Sequence, residues 1–498
     1  MTSLVRRDGV SREEVAVPGG AHRWRAFSLL VVAFFMVVVD LTIVNVALPT
    51  IGRKLHFPEQ DLQWVVTAYA LTFGGFLLLG GRAADLLGRR RLFMAGLATF
   101  TAASLACALA TSDTFLIIMR GLQGLGAAVL LPAALSIVTN MFAEGAERNK
   151  ALSTWSAIGA TAASAGLLAG GVLTRYAGWQ YIFYLNVPIG AAALLLARRT
   201  VPESRLHGAR RRYDPLGAVS VTGALVVLVY AISRAPTAGW TAPRTLALLA
   251  AAAVLLAGFL VLETRAVAPL LPLRLFRRKT LAGSNAVSFL WGASFFSFFF
   301  TGTLYMQQVL GYSALKTGIA WLATSVTSLA LAGPVQILVT RASAKLVMAA
   351  GMVLLGAGTL WATQVHAHGH FWANLAGPLF LAGGAVFAFI PVTIGALAGV
   401  GEHDAGIASG LLNTSQQIGG AIGVAAASTV AATHSRVLLG QGHAAAAALT
   451  GGFQWAFWVS GLTALAAIPV TFLLIRRTEL AHAVAASVQH EPSVAAAD

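Results

Sequence analysis

The sequence predicts an all-α membrane protein of fourteen transmembrane helices, arranged as two six-helix bundles plus two extra central helices. Three observations predict it. Of 498 residues, 57% are hydrophobic and 10% charged, against roughly 25% charged in soluble domains. Apolar runs of about 20 residues, the length a membrane helix needs, recur from Ala26 nearly to the end. Those runs are continuously apolar, whereas membrane barrel strands alternate over about ten residues.

The spans are expected near 27–49, 63–82, 92–111, 115–139, 151–173, 181–197, 216–233, 245–262, 282–305, 315–339, 346–364, 373–399, 405–432 and 453–475. An even number places both termini on one side, and the basic residues say which. With the tails inside, the inner segments hold 26 of the 34 Lys and Arg, among them the Arg89 cluster, the stretch Arg198 to Arg212, and Arg265 to Lys279. The outer loops hold seven: Arg53, Lys54, Arg175, Arg234, Arg244, Lys316 and Arg436. This asymmetry puts both tails in the cytoplasm of a protein of the cell membrane. The net charge of +16 therefore reflects orientation, and nucleic acid is not an expected partner. The first apolar run is too long for a signal peptide and has no Ala-x-Ala cleavage site, so it is expected to remain as the first span. The single cysteine, Cys107, can form no intrachain disulfide.

Repetition sets the bundle boundaries. Arg91-Leu92-Phe93-Met94-Ala95-Gly96 opens span 3 and Lys345-Leu346-Val347-Met348-Ala349-Ala350 opens span 11. A charged loop precedes small-residue-rich span 5 (Glu147 to Gly171), and another precedes span 13 (Glu402 to Gly423). Both pairs lie eight spans apart, which isolates spans 7 and 8. The expected organisation is a cytoplasmic tail (1–25), a first bundle (26–199), two extra helices with cytoplasmic loops (200–280), a second bundle (281–476) and a C-tail (477–498). Repeats with a site between them are the usual construction of secondary transporters.

Seven motifs run in order along residues 27 to about 475: Asp40-Leu41-Thr42-Ile43-Val44-Asn45-Val46-Ala47-Leu48-Pro49, Gly81-Arg82-Ala83-Ala84-Asp85-Leu86-Leu87-Gly88-Arg89-Arg90-Arg91, Arg120-Gly121-Leu122-Gln123-Gly124, Phe183-Tyr184-Leu185-Asn186-Val187-Pro188-Ile189-Gly190, Pro269-Leu270-Leu271-Pro272-Leu273-Arg274-Leu275-Phe276, Tyr305-Met306-Gln307-Gln308-Val309-Leu310-Gly311-Tyr312-Ser313, and the stretch Gly406 to Gly420. Together they resemble the fourteen-span drug:proton antiporters of the major facilitator superfamily. The resemblance implies multidrug or antibiotic efflux, and a loop motif around Asp85 that latches the bundles. Leu86 stands where the family's loop motif carries a basic residue. Span 5 reads Gly166-Leu167-Leu168-Ala169-Gly170-Gly171 without the family's proline.

The residues themselves point to chemistry. Asp40 and Arg120 lie inside spans, where an ionised group costs roughly 2.5–3.5 kcal/mol. At 1.5 Å per residue both fall at nearly the same depth, so they can pair directly or through water. Burial and a neighbouring cation pull a carboxylate's proton affinity in opposite directions, which poises Asp40 as the proton site with Arg120 as its modulator; a fixed ion pair bracing the bundle is the other reading. Asp85, Gly88, Arg89 and Arg90 are the gating candidates. Trp291, Phe295, Phe298 and Phe299 share a helical face of span 9 and offer apolar and cation-π contacts to a flat substrate, with packing as the alternative. Asn413, Gln416 and Gln417 add polar groups that suit either interhelical hydrogen bonds or substrate. Gly166, Gly170 and Gly171 in span 5, and Gly406, Gly410, Gly419 and Gly423 in span 13, allow close helix approach. Pro49 leaves the carbonyl of Asn45 without its helical donor.

No Gly-x-x-x-x-Gly-Lys-Ser/Thr loop is present to cradle ATP, so a gradient must supply the energy. His366, His368 and His370 alternate in an outer loop, and no metal or other cofactor is expected. The expected partners are protons, the lipid bilayer and a small hydrophobic substrate, and the expected state is a monomer. The leading function is proton-coupled export of hydrophobic or cationic drugs by alternating access. Uptake or facilitated diffusion of a metabolite is the second reading, and a membrane-embedded enzyme or sensor the third.

Overall fold

The computed structural model describes residues 20–58, 61–142, 146–203, 214–266, 269–271, 273–398, 400, 402–476 and 478–480; the tail assignments fall almost wholly outside these. Among the described residues, fourteen helices are long and apolar enough to span a membrane. Spans 1 to 7 are Arg23–Lys54, Trp64–Ala84, Arg89–Ala108, Asp113–Met141, Lys150–Tyr176, Tyr181–Thr200 and Pro215–Ala235. Spans 8 to 14 are Pro243–Arg265, Lys279–Val309, Ala314–Arg341, Ala344–Gln364, Phe371–Ala396, Gly406–Gly440 and Ala445–Leu474. Inner and outer below follow the assignment from basic residues.

Span 1 runs through Pro49, past the boundary that the apolar pattern suggests. The cross-bundle bond at this point is made one residue from the carbonyl that Pro49 leaves bare: Gln307 Nε2 donates to Val46 O at 2.7 Å.

The packing repeats with a shift of eight. Spans 1 and 5, 2 and 4, 3 and 4, 3 and 6, and 1 and 6 pack together, and so do 9 and 13, 10 and 12, 11 and 12, 11 and 14, and 9 and 14. Lipid tails are as apolar as leucine, so membrane helices associate through tight packing and hydrogen bonds. Glycine supplies the space. Gly419 and Gly423 lie directly against the carbonyls of Phe289 and Ala293 on span 9, and Gly292 of span 9 returns the contact at Gln416 O. Gly166 and Gly170 seat span 5 on Val39 and Ile43 of span 1.

The two bundles meet along spans 2 and 13 and along spans 5 and 10, pairs that exchange under the same eight-span shift. On the first seam Thr414 Oγ1 donates to Gly74 O at 3.0 Å, and Gly410 abuts Leu78. On the second, a methyl group at Gly171 would lie 2.7 Å from Leu315 Cα, and one at Gly318 2.5 Å from Leu167 O. The glycines of span 13 thus divide between two neighbours. Gly419 and Gly423 serve its own bundle and Gly410 the seam. Gly406, expected to pack, has nothing within 4 Å of a Cβ, because it sits at the helix's inner start, short of the crossing.

The closeness at Gly318 has a testable consequence. Overpacking costs about 1–3 kcal/mol, which shifts a two-state equilibrium by about 5- to 150-fold. Gly318→Leu is expected to hold the outer ends of spans 5 and 10 apart. Transport should fall by about that factor, and a cysteine placed at Leu315 should become labelled by an impermeant thiol reagent from outside. Unchanged labelling and transport would remove the seam's role as an outer closure.

Spans 7 and 8 form a hairpin, and span 7 packs against both span 2 and span 13. At its outer end Gln63 Nε2 donates to Ser233 Oγ at 2.7 Å, Arg234 pairs with Asp61 at 3.2 Å, and Thr429 Oγ1 donates to Ile232 O at 3.3 Å. The hairpin therefore bridges one seam between the bundles. Span 8 is turned outward along most of its length, with Val254 70% exposed.

Candidate functional site

Asp40 and Arg120 are brought into direct contact inside the first bundle, their exposures 0% and 1%. Arg120 Nη1 donates to Asp40 Oδ2 at 2.7 Å. Two amides complete the carboxylate's shell: Gln123 Nε2 donates to Asp40 Oδ1 at 2.8 Å, and Asn186 Nδ2 does so at 2.9 Å. Ser104 Oγ accepts from Gln123 Nε2 at 2.8 Å and from Asn186 at 3.3 Å, and passes its own proton to Phe100 O at 2.8 Å. Spans 1, 3, 4 and 6 each contribute. Buried polar atoms must find partners, and here every oxygen of the carboxylate has one.

Arg120 is held by more than the carboxylate. Its Nε donates to Val65 O at 2.9 Å and its Nη1 to Gln123 Oε1 at 2.6 Å. The guanidinium lies 4.4 Å from the ring centre of Tyr69 and 5.7 Å from that of Phe183, distances at which a cation is attracted by the ring face. The Tyr69 hydroxyl, buried beside this group, has no hydrogen-bond partner among the described residues. Gly124 makes the geometry possible, since its Cα lies against the Tyr69 backbone and a methyl there would overlap Tyr69 O.

Gln123, Asn186, Ser104 and Tyr69 escaped the sequence reading as functional groups, although two of them stand in quoted motifs. The available signal was a buried amide three residues after Arg120, one turn along the same helix face. Asn186 and Ser104 lie on other spans, and only the tertiary fold reveals that they converge.

The gating candidates lie elsewhere, at the inner ends of spans 2 and 3. Gly88 joins the two helices at φ 112, a conformation that strains any residue with a Cβ. Arg89 is buried, with an exposure of 7%. Arg90 donates from its backbone N–H to Glu203 Oε1 at 3.2 Å, its Nε lies 3.6 Å from Glu203 Oε2, and Arg91 reaches the same oxygen at 3.8 Å. Glu203, just beyond span 6, is thus a carboxylate that holds Arg90 and Arg91, and the sequence reading did not single it out. The Asp85 side chain lies outside the described residues. Leu86, in the position of the expected basic residue, is buried.

The aromatic stripe of span 9 splits. Trp291 stacks on Phe295, ring centres 4.8 Å apart, and its indole donates to Ala385 O at 3.2 Å. Phe298 and Phe299 instead pack on Trp321, at 5.5 and 4.2 Å, and are 2% and 8% exposed. Of the two readings, Phe298 and Phe299 take packing over substrate contact: they belong to the interior of the second bundle, because one to two turns beyond Trp291 the same helical face meets Trp321 of span 10. In span 13, Asn413 is exposed and bonds its own helix at Ser409 O (3.1 Å). Gln416 is half-buried, and Gln417 lies buried where span 13 crosses Gly74.

The family profile described as Major Facilitator Superfamily matches residues 30–424. The chain is 40% identical over 412 residues to the Cephamycin export protein CmcT of Amycolatopsis lactamdurans, covering 81% of this chain and 84% of that one. It is 36% identical over 473 residues to the Puromycin resistance protein pur8 of Streptomyces alboniger, covering 92% and 93%. It is 33% identical over 413 residues to the Tetracenomycin C resistance and export protein of Streptomyces glaucescens, covering 81% and 74%. Among solved structures the fold is similar to the POT family transporter PepTSo, with TM-score 0.65, 17% identity, and coverage of 94% and 99%. The nucleoside transporter NupG (D323A mutant) is similar at TM-score 0.64 and 12% identity, covering 90% and 99%.

Proposed function

Because the chain belongs to the major facilitator superfamily, and so is a membrane transporter rather than an enzyme, we propose that it exports hydrophobic or cationic antibiotics in exchange for protons, with Asp40 as the proton site. The observation that carries this reading is the buried carboxylate at the hub of spans 1, 3, 4 and 6, satisfied as an anion by three donors. The export and resistance names of the relatives support the direction and class of cargo.

The proton step follows from hydrogen-bond valence. A proton on Asp40 Oδ2 removes the negative charge and sets an O–H donor beside the N–H of Arg120 Nη1, so protonation and the ion pair exclude one another. Arg120 can release Asp40 without being stranded, since Val65 O, Gln123 Oε1 and the Tyr69 ring already hold it. Gln123 touches both partners and can turn its amide to meet either state. Neutralising Asp40 thereby frees span 1 from span 4. Span 1 is also the helix that Gln307 of the second bundle grips at Val46, which offers a route from proton binding to the contact between bundles.

Puromycin and ethidium efflux from energised inverted vesicles tests the proposal. Uptake into the vesicle lumen should require a proton gradient and stop on addition of a protonophore. Protonophore-insensitive transport, or movement only down the substrate's own gradient, would replace export by proton exchange with facilitated diffusion.

A further inference from the structure

Another carboxyl group lies buried away from the Asp40 hub and from the Asp61–Arg234 pair. Glu263, at the inner end of span 8, is 3% exposed. Its Oε2 accepts the backbone N–H of Leu271 at 3.1 Å, the backbone N–H of Leu270 also acts on the carboxyl group, and among the described residues its Oε1 is buried without a hydrogen-bond partner. Opposite it, Asp214 caps span 7, Oδ1 accepting from Gly217 N at 2.8 Å. The second oxygens of both residues converge over Gly217: the position a Cβ would take there lies 2.6 Å from Asp214 Oδ2 and 3.0 Å from Glu263 Oε1. Only glycine leaves that space open.

An ionised oxygen buried with no donor carries the full desolvation cost, and a second carboxylate oxygen facing the same space adds repulsion. One proton resolves both. We infer that Glu263 and Asp214 share a single proton, Glu263 Oε1–H donating to Asp214 Oδ2, so that the pair carries one negative charge and forms a second proton-binding site on the accessory hairpin.

The charge environment is compatible with a pair that retains one charge. Arg82 is near enough to interact electrostatically with Glu263, and its Nη1 donates to Pro269 O at 3.2 Å. Arg265, on the same helix, is exposed. Two carboxylates beside one guanidinium, the arrangement among the described residues, favour one ionised and one protonated group over two of either kind. The location gives the proton consequences. Arg82 belongs to the Asp85 loop motif at the end of span 2, Asp214 begins the hairpin, and Leu271 lies on the connection into span 9. Losing the proton sets like charges against each other where the first bundle, the hairpin and the second bundle are tied.

Infrared difference spectroscopy on the full-length protein in lipid vesicles tests this without any transported substrate, so its failure is distinguishable from failure of the export mechanism. The background is Asp40→Asn, which removes the carboxyl group of the other site. Between mildly acidic and alkaline buffer, a protonated-carboxyl C=O band that shifts in D2O is expected in this protein. The band should be lost in Glu263→Gln, whose amide supplies a permanent hydrogen-bond donor, and shifted in Asp214→Asn, whose Oδ1 preserves the helix cap. Elution of each variant as a monodisperse species establishes folding. Absence of the band, or an unchanged band in either variant, overturns the shared proton.

Discussion

Asp40→Asn is expected to abolish uphill export while leaving the protein folded and inserted. One proton moving down a potential of 100 mV supplies about 2.3 kcal/mol. For an uncharged substrate exchanged with one proton, that sustains a concentration ratio of about 50-fold, since about 1.4 kcal/mol corresponds to tenfold. Asparagine presents one acceptor oxygen in place of two and takes up no proton in the working pH range. The ratio held by energised vesicles should therefore fall from tens to about one. Abundance in the membrane should change little, because Val65 O, Gln123 Oε1 and the Tyr69 ring still hold the Arg120 guanidinium. Substrate moving down its own gradient should still cross, and a variant that loses binding as well would show itself by losing this downhill exchange.

The second large effect is on stability. Arg120→Leu leaves the Asp40 carboxylate buried, with Gln123 and Asn186 as its remaining donors, and loss of one partner from a buried ion pair costs about 3–5 kcal/mol. Thermal unfolding of the purified single variant should show a large fall in melting temperature. The double variant Asp40→Asn with Arg120→Leu has no buried charge to strand and should recover most of that loss, giving a coupling energy well beyond what independent sites allow. Purely additive effects would mean that the two side chains do not depend on one another in the folded protein, contrary to the 2.7 Å contact between them.

Much of this was legible along the chain. Hydropathy marks all fourteen spans because burial in a bilayer demands an unbroken apolar run, and the segment likenesses eight spans apart anticipate the repeated packing. Asp40 and Arg120 stand out because an ionised group in such a run is costly wherever it points. Their partners do not. Gln123, Asn186 and Ser104 are ordinary residues at any one position, and their meaning comes from four helices converging. The same limit explains Phe298 and Phe299: a helical-face pattern says which residues point together, and not whether they point at a cavity or a neighbouring helix. Glycine was similarly half-readable. Spacing flags span 13 as a close packer, yet it cannot say that Gly419 and Gly423 meet span 9 while Gly410 meets span 2 and Gly406 meets nothing. Glu263 is one more charge near a helix end in the sequence, since only the fold turns it inward toward Asp214.

Proton exchange at Asp40 is tested most directly by recording pH inside vesicles that hold the purified protein and no imposed gradient. Adding ethidium outside should drive an opposing proton movement in the wild type, proportional to the dye transported, and none in Asp40→Asn. Equal proton movement in the two proteins would contradict the assignment and move the coupling site to another residue.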